Sequence, residues 1–78
     1  MQERFNYSYL RGFIKEHFKS NERFAKFIGI GINALYERLA NKVPFTQREI
    51  YKVINEAIDR KLTADEVELL FLKFIKGD

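Results

Sequence analysis

The stretch FAKFIGIGINALYERLA, Phe24 to Ala40, decides the fold because it encodes a tight reversal between two helices. Helices joined by a turn of about three residues cross steeply, so their backbones approach closely and need a small residue such as Ala25. Gly29 can adopt the left-handed conformation that reverses the chain without a Cβ penalty. Ile30 and Leu35 then face the crevice between the helices. This spacing predicts a helix, a turn and a second helix.

Helix-period apolar patterns continue on both sides of this stretch, and no alternating strand pattern is longer than a few residues. A first helix is expected from about Tyr7 to Phe18, with Asn6 as its N-cap. Ser20 or Asn21 caps the helix that ends at Gly29. The third helix carries Leu35 and Leu39 inward and ends before Pro44, because a residue that precedes proline is disfavoured in helical conformation. These elements predict an all-α chain.

Two T-x-x-E capping boxes, Thr46 to Glu49 and Thr63 to Glu66, predict the starts of the last two helices. The apolar residues expected on helix four are Ile50, Val53, Ile54, Ala57 and Ile58.

Helix five, expected over about residues 63–76, is apolar on more than one face, which indicates burial on more than one side. It either packs only within the core of its own domain or also contacts a second copy of the chain across a two-fold axis. The expected dimer contacts are Leu69, Phe71, Leu72, Phe74 and Ile75.

Composition excludes several classes of function. The 78 residues include no cysteine and one histidine, so we expect no disulfide, metal or cofactor site. Gly29 and Gly31 lack the third glycine and the Lys-Ser/Thr ending of a phosphate loop, and no nucleophile–base pair can be assembled, so we expect no enzyme. The longest uncharged apolar run, Phe27 to Ile32, is too short to span a bilayer. We therefore expect a cytoplasmic protein without a membrane or small-molecule partner.

Charge is divided unevenly along the chain. Residues 1–42 contain eight Lys/Arg and four Asp/Glu, a net of +4, and residues 43–78 contain six and seven, a net of −1. The two halves sum to the overall +3. A basic half is compatible with a polyanionic partner, although many solvated surfaces carry such a bias.

The stretch NERFAKFIGIGINALYERLANKVPFTQREIYKV, residues 21–53, resembles the helix-turn-helix of phage Cro and cI-type repressors, especially small Cro-like proteins of phages that infect Gram-positive bacteria. The resemblance covers roughly Leu10 to Ile58. It implies a compact five-helix bundle, a single lambda-repressor-like DNA-binding domain over residues 1–78 with its motif at about 21–40. It also implies a Cro-sized transcriptional regulator without a large C-terminal domain, acting on the nucleoid of a bacterial host cell.

In such folds the second helix of the motif lies in the major groove. With Leu35 inward and about 100° per residue, Asn33 and Glu37 fall on the opposite side and Tyr36 on the flank. Asn33 can bind adenine, and Tyr36 can bind a phosphate or contact a thymine methyl. Glu37 either accepts from a cytosine amino group, repels phosphate in wrong registers, or pairs with a nearby arginine. Ile32 lies between core and groove, and it either packs at the helix junction or touches a thymine methyl.

The resemblance also implies phosphate contacts, any of which could instead be a solvated surface residue. They are Ser20, Asn21, Arg38, Asn41, Lys42, Thr46, Gln47 and Arg48. The implied partner is a double-stranded operator, bound by a homodimer that forms in solution or only on DNA. The alternative is a protein-binding antirepressor that keeps the fold and docks on a partner repressor.

Overall fold

Five α-helices build the part of the chain that the computed structural model describes, residues 4–74. They are α1 (Ser8–Phe18), α2 (Asn21–Ile28), α3 (Ile32–Leu39), α4 (Gln47–Glu56) and α5 (Ala64–Phe71). Within residues 4–74 there is no strand, only an isolated antiparallel bridge between Phe5 and Phe74. The predicted all-α class is confirmed.

The core forms where the apolar stripes of the helices meet. Helix α1 packs against α2 and α5, and α2 packs against α3 and α4. The largest side chains with almost no exposure come from all five helices; they are Leu10, Ile14, Phe24, Leu35, Val53 and Leu70. Because α2 contacts three other helices, the position of α3 is set by the core of the whole domain.

At the reversal between α2 and α3, the chain adopts the left-handed conformation predicted for Gly29. Gly29 has φ +84° and ψ 29°, which is the left-handed region. Its N–H and that of Ile30 both donate to the Ala25 carbonyl oxygen at 2.9 Å. No atom lies within 4 Å of the place where a Cβ on Gly29 would sit, so the backbone conformation rather than lack of space favours glycine here.

Four of the helix starts follow from local sequence, and one of these differs in detail from the prediction. The Ser20 hydroxyl accepts from the Arg23 N–H, and both T-x-x-E boxes form with reciprocal hydrogen bonds. At α1 the N-cap position is Tyr7 rather than Asn6. The Asn6 Oδ1 accepts from the Ser8 N–H at 2.9 Å and forms an Asx turn. Asn6 therefore lies one residue before the N-cap, the position that was predicted for it.

Helices α4 and α5 end earlier than their apolar patterns indicate. Ala57 and Ile58 follow α4 and pack, partly buried, against the core. After α5 the chain turns to meet the N-terminal segment: the Asn6 N–H donates to the Lys73 carbonyl, and the Phe5 and Phe74 rings stack with centroids 4.7 Å apart. These contacts replace further helical hydrogen bonds.

Candidate nucleic-acid interface

Helix α3 presents a polar exposed face opposite its buried one. Leu35 and Leu39 are 0% and 4% exposed and anchor the helix in the core. Asn33, Tyr36 and Glu37 are exposed, as the helical projection predicts. Their amide, phenol and carboxylate groups are therefore presented together along one side of a helix whose opposite side is fixed.

Ile32, at the start of α3, is partly buried and packs against the core cluster. The structure thus favours packing at the helix junction, the first of the two alternatives for this residue. The preceding Gly31 is the N-cap and provides no side-chain hydrogen bond. Hydrogen-bonding groups on the exposed face of α3 therefore begin at Asn33.

The Arg38 side chain is directed into the domain, where it forms a bidentate ion pair with Glu49. The Arg38 Nε and Nη2 atoms lie 2.8 and 3.0 Å from the two Glu49 carboxylate oxygens, and Nη1 donates to the Ala34 carbonyl oxygen at 3.1 Å. The two side chains are only 12% and 8% exposed. All three guanidinium nitrogens are thus engaged within the protein, so we omit Arg38 from the phosphate-contacting set proposed below.

Glu49 belongs to this region of the structure, although the sequence predicted it only as part of a capping box. Its capping box with Thr46 was recognisable, because the T-x-x-E spacing is local. Its pairing with Arg38, eleven residues away on another helix, has no local signal. The carboxylate therefore joins the end of α3 to the start of α4.

Asn41 also serves an internal contact. Its φ of 65° is left-handed, a conformation that asparagine tolerates better than most residues. Its Oδ1 accepts from the Phe5 N–H at 2.7 Å, and its Nδ2 donates to the Phe5 carbonyl at 3.0 Å. Because both ends of the amide are engaged, Asn41 holds the N-terminal segment, and we also omit it from the proposed phosphate set.

The start of α4 lies beside the α2–α3 turn. Thr46, Arg48 and Lys52 line a groove of about 380 Å³ together with Gly29 and Ile30. The elements predicted to contact phosphate near the motif are thus adjacent in space. The exposed members of this predicted set are Lys42, Thr46, Gln47 and Arg48, and the partly buried ones are Ser20 and Asn21.

The predicted dimer residues are divided between core and surface. Phe71 is 3% exposed, and its ring packs edge-on against Phe45 at 5.3 Å. Leu69 is partly buried, whereas Leu72 and Phe74 are 51% and 52% exposed. Ile75 lies outside the described residues. Leu72 and Phe74 are therefore the predicted contacts that a partner could reach.

Other kinds of site find little support in residues 4–74. No group of three His, Cys, Asp or Glu side chains there could hold a metal ion. The His17 ring contacts the Phe13 ring at the edge of the core, with centroids 4.5 Å apart and planes tilted by 51°. None of the helices described is long and apolar enough to cross a membrane.

Comparison of the chain with models of known protein families gave no match, and comparison with curated protein sequences gave none either.

Proposed function

We propose that the chain is a sequence-specific DNA-binding transcriptional regulator of the Cro/cI repressor type, which reads operator DNA through the major groove with α3. The observation that carries this proposal is the two-sided character of α3. Leu35 and Leu39 fix the helix in the core, and Asn33, Tyr36 and Glu37 are exposed on the other side. The major groove of B-DNA is wide enough to admit such a helix.

Base contacts alone do not explain affinity, which depends mostly on phosphates. The proposed phosphate contacts are Ser20, Asn21, Lys42, Thr46, Gln47 and Arg48. The hydroxyls of Ser20 and Thr46 accept backbone N–H groups as caps, yet each retains a proton that it can donate to a phosphate oxygen. The net charge of +3 favours such a partner.

A homodimer on a two-fold operator completes the proposal. Two copies would place their α3 helices in successive major grooves, about one helical turn of DNA apart. The exposed Leu72 and Phe74 beyond α5 support an apolar contact between copies. In this proposal the protein acts on the bacterial nucleoid and needs no cofactor.

The same two exposed side chains favour a second function, docking on a partner repressor as an antirepressor. An acidic Glu37 on the polar face of α3 is compatible with that function, because a carboxylate repels phosphate. The two functions predict different binding partners, and duplex DNA distinguishes them.

The test is selection of bound fragments from random duplex DNA, followed by an Asn33→Ala variant. We expect enrichment of a short two-fold sequence, and a loss of about 1–3 kcal/mol for Asn33→Ala on that sequence with little loss on random duplex. Asn55→Ala is the matched control, since the Asn55 amide donates to its own helix at Tyr51 and is not on α3.

Two results would count against the proposal at different levels. Equal losses on selected and random duplex would show that Asn33 does not read bases. No enriched sequence and no duplex binding at low salt would remove the regulator function and leave the antirepressor.

A further inference from the structure

Helix α1 carries a row of cations outside the proposed base and phosphate contacts. Arg11, Lys15 and Lys19 recur every fourth residue and so share one face of the helix and its C-cap. Together with Ile14, Ser20 and Asn21 they line a groove of about 290 Å³. We call it the α1 groove.

The α1 groove is strongly positive. No Asp or Glu is among its lining residues, and none of the ion pairs within residues 4–74 involves its three cations. The nearest acidic residue in sequence, Glu16, lines a separate cleft with Tyr9. Lysines four residues apart repel one another, although Lys15 and Lys19 lie at the C-terminal end of α1, where the helix dipole favours cations. An anion in the groove would reduce that repulsion.

The groove is joined to the reading helix at one end and to the motif's first helix at the other. The Arg11 Nη2 atom lies 3.5 Å from the carbonyl oxygen of Leu39, the last residue of α3. At the opposite end the groove includes Ser20 and Asn21, where α2 begins. Its cations therefore continue the surface on which the proposed phosphate contacts lie.

We propose that the α1 groove holds backbone phosphates of the same DNA duplex whose bases α3 reads. This inference rests on the proposed function, because it assigns a further part of the interface with the same partner. Phosphates are the anions a duplex presents at regular spacing, and a row of lysine and arginine side chains provides sequence-independent contacts to them. The α1 groove then contributes affinity and salt dependence but no base specificity.

The test compares duplex affinity as a function of salt for three proteins. The groove variant is Lys15→Gln with Lys19→Gln. Arg11 is retained because it contacts Leu39 on another helix, whereas the Lys19 Nζ atom donates to the Glu16 carbonyl oxygen of its own helix at 3.3 Å. The control is Arg4→Gln with Lys61→Gln, which removes the same charge from two exposed side chains outside the groove. A fluorescent mixed-sequence duplex is the probe, and thermal unfolding verifies that each variant is folded.

Each neutralised phosphate contributes roughly −0.9 to the slope of log affinity against log salt. We expect the groove variant to lose about 1.8 from that slope, so that a rise from 50 to 200 mM salt weakens it roughly 12-fold less than the parent. The control should keep the parent's slope. Lys15→Arg with Lys19→Arg should also keep it, because both charges are retained. If the double glutamine variant does not fold, the single variants Lys15→Gln and Lys19→Gln decide the matter, and each should lose about 0.9 from the slope.

The outcomes separate the two proposals. If the parent binds duplex with a steep slope and the groove variant matches the control, the α1 groove inference is wrong and the proposed function stands. If the parent binds no duplex at low salt, both are wrong. If the groove variant binds vesicles of phosphatidylcholine and phosphatidylserine more weakly than the parent does, but binds duplex equally well, the groove serves an anionic membrane surface. That result would overturn the inference.

Discussion

The two capping boxes of the chain have the same sequence pattern and different consequences. Thr46 with Glu49 and Thr63 with Glu66 form the same reciprocal hydrogen bonds at the starts of α4 and α5. Each glutamate also holds an arginine with both carboxylate oxygens. The Arg38–Glu49 side chains are 12% and 8% exposed, whereas those of Arg60 and Glu66 are 56% and 25% exposed.

This difference shows that a local motif acquires its structural role from where its partner lies. Arg60 is near Glu66 in sequence, so the second box organises only the start of its own helix. Arg38 belongs to α3, so the first box ties the proposed reading helix to α4. An ion pair that is largely buried stabilises the fold little more than an apolar contact would. Removal of one partner is nevertheless costly, because the other charge stays largely shielded from solvent.

The largest expected effect comes from breaking the buried pair. Glu49→Ala should lower the free energy of unfolding by about 3–5 kcal/mol, because it leaves the Arg38 guanidinium buried without a counter-charge. Glu66→Ala removes the same capping contact but leaves Arg60 in solvent, so its loss should be clearly smaller. Urea unfolding followed by circular dichroism measures both. Equal losses would show that burial does not distinguish the two boxes.

A double replacement sharpens the same comparison. Arg38→Met with Glu49→Gln removes both charges while glutamine preserves the capping box. We expect this variant to lose less stability than the sum of its single replacements, by about 0.5–3 kcal/mol. Arg60→Met with Glu66→Gln is the matched pair and should show weaker coupling in the same unfolding experiment. Additive losses at Arg38 and Glu49 would mean that the pair contributes no coupling.

Acid should weaken the exposed box within a defined range of pH. The hydrogen bonds from Arg60 and from the Thr63 backbone lower the pKa of Glu66 from 4.5 to about 2. A carboxyl with a lowered folded-state pKa stabilises the protein above its unfolded pKa, and that contribution is lost as pH falls towards the folded value. The parent should therefore be more stable than Glu66→Gln near neutral pH, and this advantage should disappear between about pH 4.5 and 2. An advantage that is constant down to pH 2 would contradict the assignment.

The smallest expected effect is at α3, which begins without a side-chain cap. Gly31 has φ −73° and ψ 161°, an extended conformation open to any residue, and no atom lies within 4 Å of an added Cβ. Gly31→Ser should give α3 the kind of cap that Thr46 and Thr63 give α4 and α5, and raise the free energy of unfolding by about a few tenths of a kcal/mol. A thermal melt of the variant is the measurement, and a lower melting temperature would contradict it.

The parts that could be predicted from sequence are those set by short-range patterns. Gly29, the Ser20 cap and both boxes depend on spacings of a few residues, and the apolar period identified Leu35 and Leu39 as buried. The exposure of Asn33, Tyr36 and Glu37 followed from the same period.

What the sequence could not provide depends on contacts between distant segments. The Arg38–Glu49 pair, the Asn41 contact with Phe5 and the early end of α5 at the Phe5–Phe74 bridge each join separate elements. The α1 groove is a partial exception, since the spacing of Arg11, Lys15 and Lys19 was visible in the sequence. The absence of Asp and Glu from the residues that line it became evident only in three dimensions.

The most direct test of the central claim is a titration of the ¹⁵N-labelled protein with duplex DNA, followed through its amide NMR shifts. If α3 reads DNA bases as proposed, the largest changes will occur at Asn33, Tyr36 and Glu37 and at the starts of α2 and α4. No change at low salt, or changes confined to Leu72, Lys73 and Phe74, would contradict the proposal.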